Sequence, residues 1–285
     1  MIKGTTKLLG VTGYPVEHSL SPVMHNAAIA TLGLDYIYLP LPVKPEDLQI
    51  AIAGFAAINL VGFNVTIPHK QAILPLLSEV SPIAQAVGAV NTVQRTENGW
   101  VGTNTDVEGF LAPLKTYNQD WSQTVAVILG NGGAARAVVA GCAQLGFAQI
   151  HVAGRNQQNL EEFRNSWVNS QLAVKLQVHL WNELPRLIPQ ATLLVNTTPI
   201  GMHPHVKESP LSAAQFANLP PRAVVYDLIY NPSPTQFLQQ AQQQGAVTIN
   251  GLEMLVQQGA AALKIWLQQE VPVDIMRQAL QQQLH

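Results

Sequence analysis

The chain has 285 residues, of which 47% are hydrophobic and 11% charged, and its formal net charge is −2. This length and apolar content allow one large domain or two modest ones. The near-neutral charge, without any run of Lys or Arg, argues against nucleic acid as the main partner. Each apolar run is shorter than the roughly 20 residues of a membrane span, so no membrane association is expected.

The single cysteine, Cys142, precludes an internal disulfide and fits a reducing compartment. The first residues lack a signal-peptide pattern, because the apolar run Leu8–Val11 has only the length of a strand. These features predict a cytoplasmic protein.

The first elements alternate between strand and helix. Strands are predicted over 7–11 and 35–41. Between them, Ser21 would cap a helix whose first residue is Pro22. A third strand is predicted over the apolar run 58–63.

The stretch 64–70 connects that third strand to a helix that Pro68 would start. It places a carboxamide, a hydroxyl and an amine, from Asn64, Thr66 and Lys70, at the carboxyl end of a strand. Open α/β sheets bind their ligands there, and these groups suit a small polyhydroxy or carbonyl substrate. The alternative is a helix-capping Thr beside a solvated Lys.

A strand over 88–93 should pair with a returning strand, since Asn98-Gly99 is typical of a two-residue hairpin turn. The polar sequence Thr103-Asn104-Thr105-Asp106 then precedes a helix over 107–114. After a polar linker over 117–123, short aliphatic strands alternate with helices, which is typical of a doubly wound parallel sheet. Those strands are predicted over 124–129, 149–153, 174–178, 192–195, 223–228 and 246–249. The segment from Gly251 onward is predicted to be helical.

A glycine-rich loop follows the first strand of this second half and opens a helix. Its spacing fits the dinucleotide-binding pattern G-x-G-x-x-G/A, in which the backbone approaches a pyrophosphate at a helix N-terminus. The loop consists of Gly130, Asn131, Gly132, Gly133, Ala134 and Ala135.

The choice between NAD and NADP is inferred from the residues at the end of the next strand, where NAD enzymes carry an acidic residue. This chain has Gly154-Arg155-Asn156 there, and Arg155 can bind a 2′-phosphate, so NADP is favoured over NAD. A solvated Arg is the alternative. A further polar loop with Thr197 and Thr198 should line the nicotinamide site. No metal site is expected, because His203 and His205 lack a third ligand.

Several separated motifs, taken together and in this order, resemble those of the shikimate dehydrogenases over nearly the whole chain. The motifs are residues 18–26, 62–70, 88–92, 102–106, the glycine loop, 196–202, 227–232 and 251–258. The resemblance implies an α/β fold with an N-terminal α/β substrate domain, residues 1–114 and 251–285. A Rossmann-like doubly wound parallel-sheet NADP domain would occupy residues 115–250.

The resemblance also implies roles for individual residues. Lys70 and Asp106 would be the catalytic pair, and Asp106 would keep Lys70 charged and aimed. The substrate, shikimate or 3-dehydroshikimate, would be bound by Ser19 and Ser21 through its carboxylate and by the polar groups of Asn64, Thr66, Asn91, Gln258 and Tyr230. The cofactor site would add Asn156, Leu228 and Gly251 to the loop residues. The sequence does not decide whether the protein is a monomer or a homodimer.

The sequence departs from the usual family pattern at the residues expected to bind the cofactor. Family members that bind NADP usually have Asn-Arg-Thr with another Arg close behind, whereas this chain has Gly154-Arg155-Asn156 and Asn159. We therefore expect a clear but smaller preference for NADP. The enzymatic alternatives are a quinate-using relative, which the Ser19-x-Ser21 pair disfavours, and a methylene-tetrahydrofolate dehydrogenase. A non-enzymatic dinucleotide-binding protein is the alternative from another class, and it would not need Lys70 with Asp106.

Overall fold

The computed structural model describes residues 2–117, 119–168, 170, 172 and 175–284. The chain divides into two compact units: unit 1 comprises Met1–Gly109 and Leu255–His285, and unit 2 comprises Phe110–Met254.

The described strands form two sheets of six strands each. In chain order they are β1 Lys7–Gly13, β2 Tyr36–Pro42, β3 Gly62–Val65, β4 Glu79–Val80, β5 Thr92–Thr96, β6 Gly99–Thr103, β7 Val125–Leu129, β8 Gln149–Gly154, β9 Leu176–Leu180, β10 Leu193–Asn196, β11 Val224–Asp227 and β12 Val247–Ile249.

The α-helices lie mostly between strands, and short 3₁₀ turns at Pro45–Asp47, Leu74–Leu76, Trp181–Glu183 and Ile188–Gln190 supplement them. The α-helices are α1 Ser21–Thr31, α2 Leu48–Ala57, α3 His69–Ala72, α4 Pro82–Val87, α5 Asp106–Leu114, α6 Gly133–Gln144, α7 Gln157–Asn165, α8 Leu184–Leu187, α9 Ala213–Phe216, α10 Gln236–Gln243, α11 Leu252–Leu267 and α12 Val273–Leu284.

Unit 1 is built on a mixed sheet with the order β2-β1-β3-β5-β6-β4. Strands β2, β1 and β3 are parallel, and β5 runs antiparallel to both β3 and β6. The predicted hairpin is confirmed, since Thr96 pairs with Gly99 across the turn. The carboxyl end of β3 and the amino end of β5 therefore meet, because Asn64 pairs with Thr92.

Two predicted strand starts in unit 1 are wrong. Ile58 closes helix α2, donating its N–H to the Gly54 carbonyl at 3.1 Å, so β3 starts only at Gly62. The apolar periodicity of α2 runs into the strand pattern, and periodicity alone does not separate them. Likewise Gly88, with φ +67°, caps α4, and β5 starts at Thr92.

The C-terminal helices contribute to unit 1, where α12 packs on α1. The indole Nε1 of Trp266 donates to the Val93 carbonyl at 3.0 Å. A Cβ at Gly62 would lie 2.2 Å from the same indole nitrogen, so glycine is required there for this close packing.

Unit 2 has an all-parallel sheet with the order β12-β11-β10-β7-β8-β9, which confirms the predicted doubly wound sheet. Its first strand, β7, lies inside the sheet, and the chain moves outward from it in both directions. The predicted strand 174–178 starts at a residue outside the described ones, and β9 covers Leu176–Leu180. Trp121 of the predicted linker is buried and stacks on Phe147 at 5.0 Å between centroids, which anchors that stretch.

Candidate active site

A lysine and an aspartate form a close ion pair in unit 1. Lys70 lies on the short helix that follows β3, and its Nζ donates to Oδ2 of Asp106 at 2.6 Å. Asp106 is the first residue of α5, and its N–H donates to Oδ1 of Asn104 at 3.0 Å. The two side chains are 17% and 7% exposed, so the ammonium remains reachable from outside while the carboxylate is nearly enclosed.

Asn91 holds the second oxygen of that carboxylate. Its Nδ2 donates to Oδ1 of Asp106 at 2.8 Å, and Thr105 Oγ1 and Gln258 Oε1 also lie 3.0 and 3.3 Å from this nitrogen. The two amide hydrogens are thus shared among three acceptors. The carboxamide oxygen accepts from the Thr105 N–H at 2.7 Å, which orients the group. Both oxygens of Asp106 are therefore engaged, and its direction is fixed.

Asn64 extends this polar network toward β2. Its Nδ2 donates to the Asn91 carbonyl and to Thr92 Oγ1, both at 3.1 Å, and its Oδ1 accepts from the hydroxyl of Tyr38 at 2.7 Å. These groups are buried, and a buried polar group needs such partners. Neither Tyr38 nor Thr92 was predicted as a site residue, because an alternating strand carries no sign of which side chain faces a site.

The two predicted carboxylate ligands lie at the start of α1. Ser21 is the first residue of that helix and follows the capping position at Leu20, so the predicted cap is wrong by one residue. The capping residue Leu20 makes no side-chain capping bond. The Ser21 N–H donates to Ser19 Oγ at 3.3 Å, so the Ser19 hydroxyl lies at the start of α1.

Thr66 follows β3 and packs against the backbone of β1. A Cβ at Gly13 would lie 2.3 Å from Thr66 Cγ2, and the Thr66 N–H donates to the Thr12 carbonyl at 2.9 Å. The predicted substrate residues Ser19, Ser21, Asn64, Thr66, Asn91 and Gln258 all belong to unit 1 with Lys70 and Asp106, whereas Tyr230 follows β11 in unit 2.

The glycine loop of unit 2 lies directly after β7, as predicted. Gly130 has φ +102°, and a Cβ there would lie 2.8 Å from Thr197 Oγ1. Gly132 precedes the first residue of α6, so the loop presents a helix N-terminus. Thr197 Oγ1 donates to the Leu129 carbonyl at 2.7 Å, which ties the loop after β10 to the one after β7.

The remaining predicted cofactor residues lie at the carboxyl ends of neighbouring strands. A Cβ at Gly154 would lie 3.2 Å from Asn131 Oδ1, so the loops after β7 and β8 also touch. Arg155 is exposed, and Asn156 caps α7 by accepting from the Asn159 N–H at 3.0 Å. Gly251 contacts the Leu228 backbone so closely that a Cβ would lie 2.1 Å from its carbonyl oxygen.

Asp227 is a buried carboxyl that begins the motif 227–232 but for which no role was predicted. It accepts hydrogen bonds from Asn196 Nδ2 at 3.0 Å, the Ile229 N–H at 3.1 Å and Thr235 Oγ1 at 2.6 Å. Burial raises the pKa of Asp227 to about 6, against the opposing effect of these donors. The group fixes the loops after β10 and β11 relative to each other.

Among the residues that the structure describes, no cluster of three or more His, Cys, Asp or Glu is arranged to hold a metal ion. Within the same part of the chain, none of the helices is both long and apolar enough to cross a membrane.

Two family models match segments of the chain. A family model of the shikimate dehydrogenase substrate binding domain matches residues 11–93, and one of the shikimate 5′-dehydrogenase C-terminal domain matches residues 251–281. A shikimate dehydrogenase (NADP(+)) from Trichormus variabilis (strain ATCC 29413 / PCC 7937) is 72% identical over 286 residues, covering 100% of this chain and 99% of that protein.

Solved structures are similar over the same extent. A crystal structure of a shikimate dehydrogenase in complex with NADP+ has a TM-score of 0.89 and 38% identity, covering 100% of this chain and 98% of that one. The shikimate 5-dehydrogenase from Listeria monocytogenes, in complex with shikimate and NAD, has a TM-score of 0.86 and 38% identity, covering 98% of each chain.

Proposed function

We propose that this chain, which belongs to the shikimate dehydrogenase family, catalyses the reversible NADPH-dependent reduction of 3-dehydroshikimate to shikimate in aromatic amino-acid biosynthesis. The observation that carries the proposal is the pair formed by Lys70 and Asp106, 2.6 Å apart and only partly enclosed. A protein that only sensed dinucleotides would need the glycine loop but not this pair.

The substrate would bind to the polar groups of unit 1, within the domain 1–114 and 251–285. Ser19 and Ser21 would hold its carboxylate through neutral hydroxyls, which leaves the ammonium of Lys70 for the reacting oxygen. Asn64, Thr66, Asn91 and Gln258 would bind ring hydroxyls, and Tyr230 completes the set of proposed substrate residues. Charge-assisted bonds from Ser to a carboxylate contribute about 1.5–3 kcal/mol each.

In the oxidative direction, hydride leaves the carbinol carbon and a proton leaves the hydroxyl, so that a carbonyl forms. NADP, when bound, accepts that hydride, and the protein must take up the proton and hold the reacting oxygen. One hydrogen of the Lys70 ammonium is directed at Asp106, and an ammonium has two more for the substrate oxygen. We assign the proton exchange to the coupled pair rather than to one member.

NADP would bind to the domain 115–250. The loop 130–135 fits a pyrophosphate, because Gly130 has positive φ with no room for a side chain and helix α6 starts directly after the loop. Arg155 and Asn156 would bind the adenosine 2′-phosphate, while Thr197, Thr198, Leu228 and Gly251 would line the nicotinamide end. No metal takes part in this proposal.

We also propose a cytoplasmic location, on the composition and the single buried cysteine. We further propose that the protein forms a homodimer. Sedimentation equilibrium distinguishes a homodimer from a monomer.

The experiment is a set of initial-rate assays with purified protein. Shikimate and quinate are each offered with NADP+ and with NAD+, and reduced cofactor is measured. Shikimate with NADP+ should give the highest kcat/KM. Equal turnover of quinate would favour the broader quinate/shikimate dehydrogenase, and absence of turnover with every pair would refute the enzymatic proposal.

A further inference from the structure

Tyr38 is a buried residue that has no part in the proposed reaction, yet it contacts one of the proposed substrate residues. Tyr38 is 1% exposed. Its hydroxyl donates to Oδ1 of Asn64 at 2.7 Å. Asn64 is one of the residues proposed to bind a substrate hydroxyl.

The position of the phenol is fixed by its surroundings. The ring stacks on His25 with centroids 4.1 Å apart and an interplanar angle of 11°, and Trp266 lies at 6.1 Å. Burial lowers the pKa of His25 to about 3, so the imidazole is neutral at pH 7. The carboxamide of Asn26 binds the Tyr38 backbone on both sides, accepting from its N–H at 2.9 Å and donating to its carbonyl at 2.8 Å.

The direction of the hydrogen bond follows from counting donors. The Asn91 carbonyl can only accept, so Nδ2 of Asn64 must face it, and Oδ1 must face Tyr38. The phenol has one hydrogen, and that hydrogen goes to Asn64. Both Nδ2 hydrogens of Asn64 are also used, on Asn91 and Thr92. Only a lone pair of Oδ1 remains for a ligand.

We infer that Tyr38 is a positioning residue: its hydrogen bond holds the Asn64 carboxamide, which the Asn91 carbonyl and Thr92 orient, so that Oδ1 accepts from a substrate hydroxyl. This inference rests on the proposed function. It predicts that Asn64 selects a hydroxyl, not a carbonyl or carboxylate, at the substrate atom it meets.

The test is Tyr38→Phe, which keeps the ring stack and removes only the hydroxyl. The KM for shikimate should rise about 5- to 30-fold, as for the loss of one buried hydrogen bond, while the KM for NADP+ stays within about twofold. The matched control is Tyr36→Phe, because Tyr36 lies on the same strand and its hydroxyl only meets Lys7 Nζ at 3.5 Å. That variant should keep wild-type constants.

A double-mutant cycle shows whether Tyr38 acts through Asn64. In an Asn64→Ala background, adding Tyr38→Phe should change the KM for shikimate by less than about twofold, because the group it positions is gone. An unchanged KM in the single variant, or full additivity in the cycle, would overturn the inference. In Tyr38→Phe, equal rises in the KM for shikimate and the KM for NADP+ would indicate a general structural role and would also overturn the inference. If the wild-type protein did not turn over shikimate, the proposed function itself would be refuted.

Discussion

Nζ of Lys70 lies 2.6 Å from Oδ2 of Asp106, although 36 positions separate the two residues in the chain. The pairing of β3 with β5 and of β5 with β6 brings them together, since Lys70 follows the first of these strands and Asp106 follows the last. Asn91 occupies the other carboxylate oxygen at 2.8 Å. The ion pair is therefore positioned by the ends of sheet strands and by the Asn91 side chain.

Replacing both Ser19 and Ser21 by Ala should raise the KM for shikimate strongly. Each lost charge-assisted hydrogen bond corresponds to roughly a ten- to hundredfold weaker interaction. The KM for NADP+ should stay unchanged, and Ser122→Ala, at an exposed serine of unit 2, provides the control. A wild-type KM for shikimate in the double variant would remove both serines from the site.

Replacing Arg155 by Ala should remove most of the preference for NADP. One contact to a 2′-phosphate corresponds to a preference of roughly ten- to hundredfold, and Asn159 supplies no second cation. The measurement is kcat/KM for NADP+ and NAD+ in wild type and variant. Arg164→Ala, on the exposed side of the neighbouring helix α7, is the control. If the wild type used NAD+ as well as NADP+, the role given to Arg155 would be wrong.

A buried histidine pair should make unit 2 less stable in acid. His151 Nδ1 lies 2.9 Å from His179 Nε2, and the His151 Nε2 side meets Gln149 Oε1 at 3.0 Å. Burial, then the neighbouring His179 and Arg186, lower the pKa of His151 to about 4. Between about pH 6.5 and 4 the unfolded chain binds the proton and the folded chain does not, so stability falls as the pH falls.

The expected loss at pH 5 relative to pH 7 is roughly 2 kcal/mol from His151. The pKa of buried Asp227 is raised, so this group stabilises the folded state as the pH falls and opposes the effect of His151. The pH dependence of wild-type stability alone therefore does not isolate the contribution of His151. The comparison is urea unfolding of wild type and His151→Gln at both pH values, with exposed His205→Gln as the control. His151→Gln should be the less acid-sensitive protein, and equal sensitivity would contradict the assignment.

Much of this fold could be predicted from sequence because its signals are local. The glycine loop after β7 and the hairpin at Asn98-Gly99 each depend on a few adjacent residues. The start of β3 could not be predicted, since the apolar pattern of α2 continues through Ile58 and only pairing with β1 defines the strand.

In the candidate site, too, residues within local motifs could be predicted, whereas contacts between distant parts of the chain could not. Lys70, Asn91 and Asp106 were expected from motifs, and the structure brings all three together. The roles of Tyr38 and Asp227 were missed because these residues bind partners distant along the chain, Asn64 and Asn196 respectively. An alternating strand shows that a side chain is buried, but not which polar atom it meets.

The most direct test of the account is the kcat for shikimate oxidation of Lys70→Ala. Loss of a general acid/base should lower kcat by about 10²–10⁴, with the KM for shikimate less affected. Lys115→Ala, at an exposed lysine beyond α5, is the matched control and should retain wild-type rates. A Lys70→Ala enzyme that kept more than about a tenth of the wild-type kcat would contradict the proposed catalytic pair.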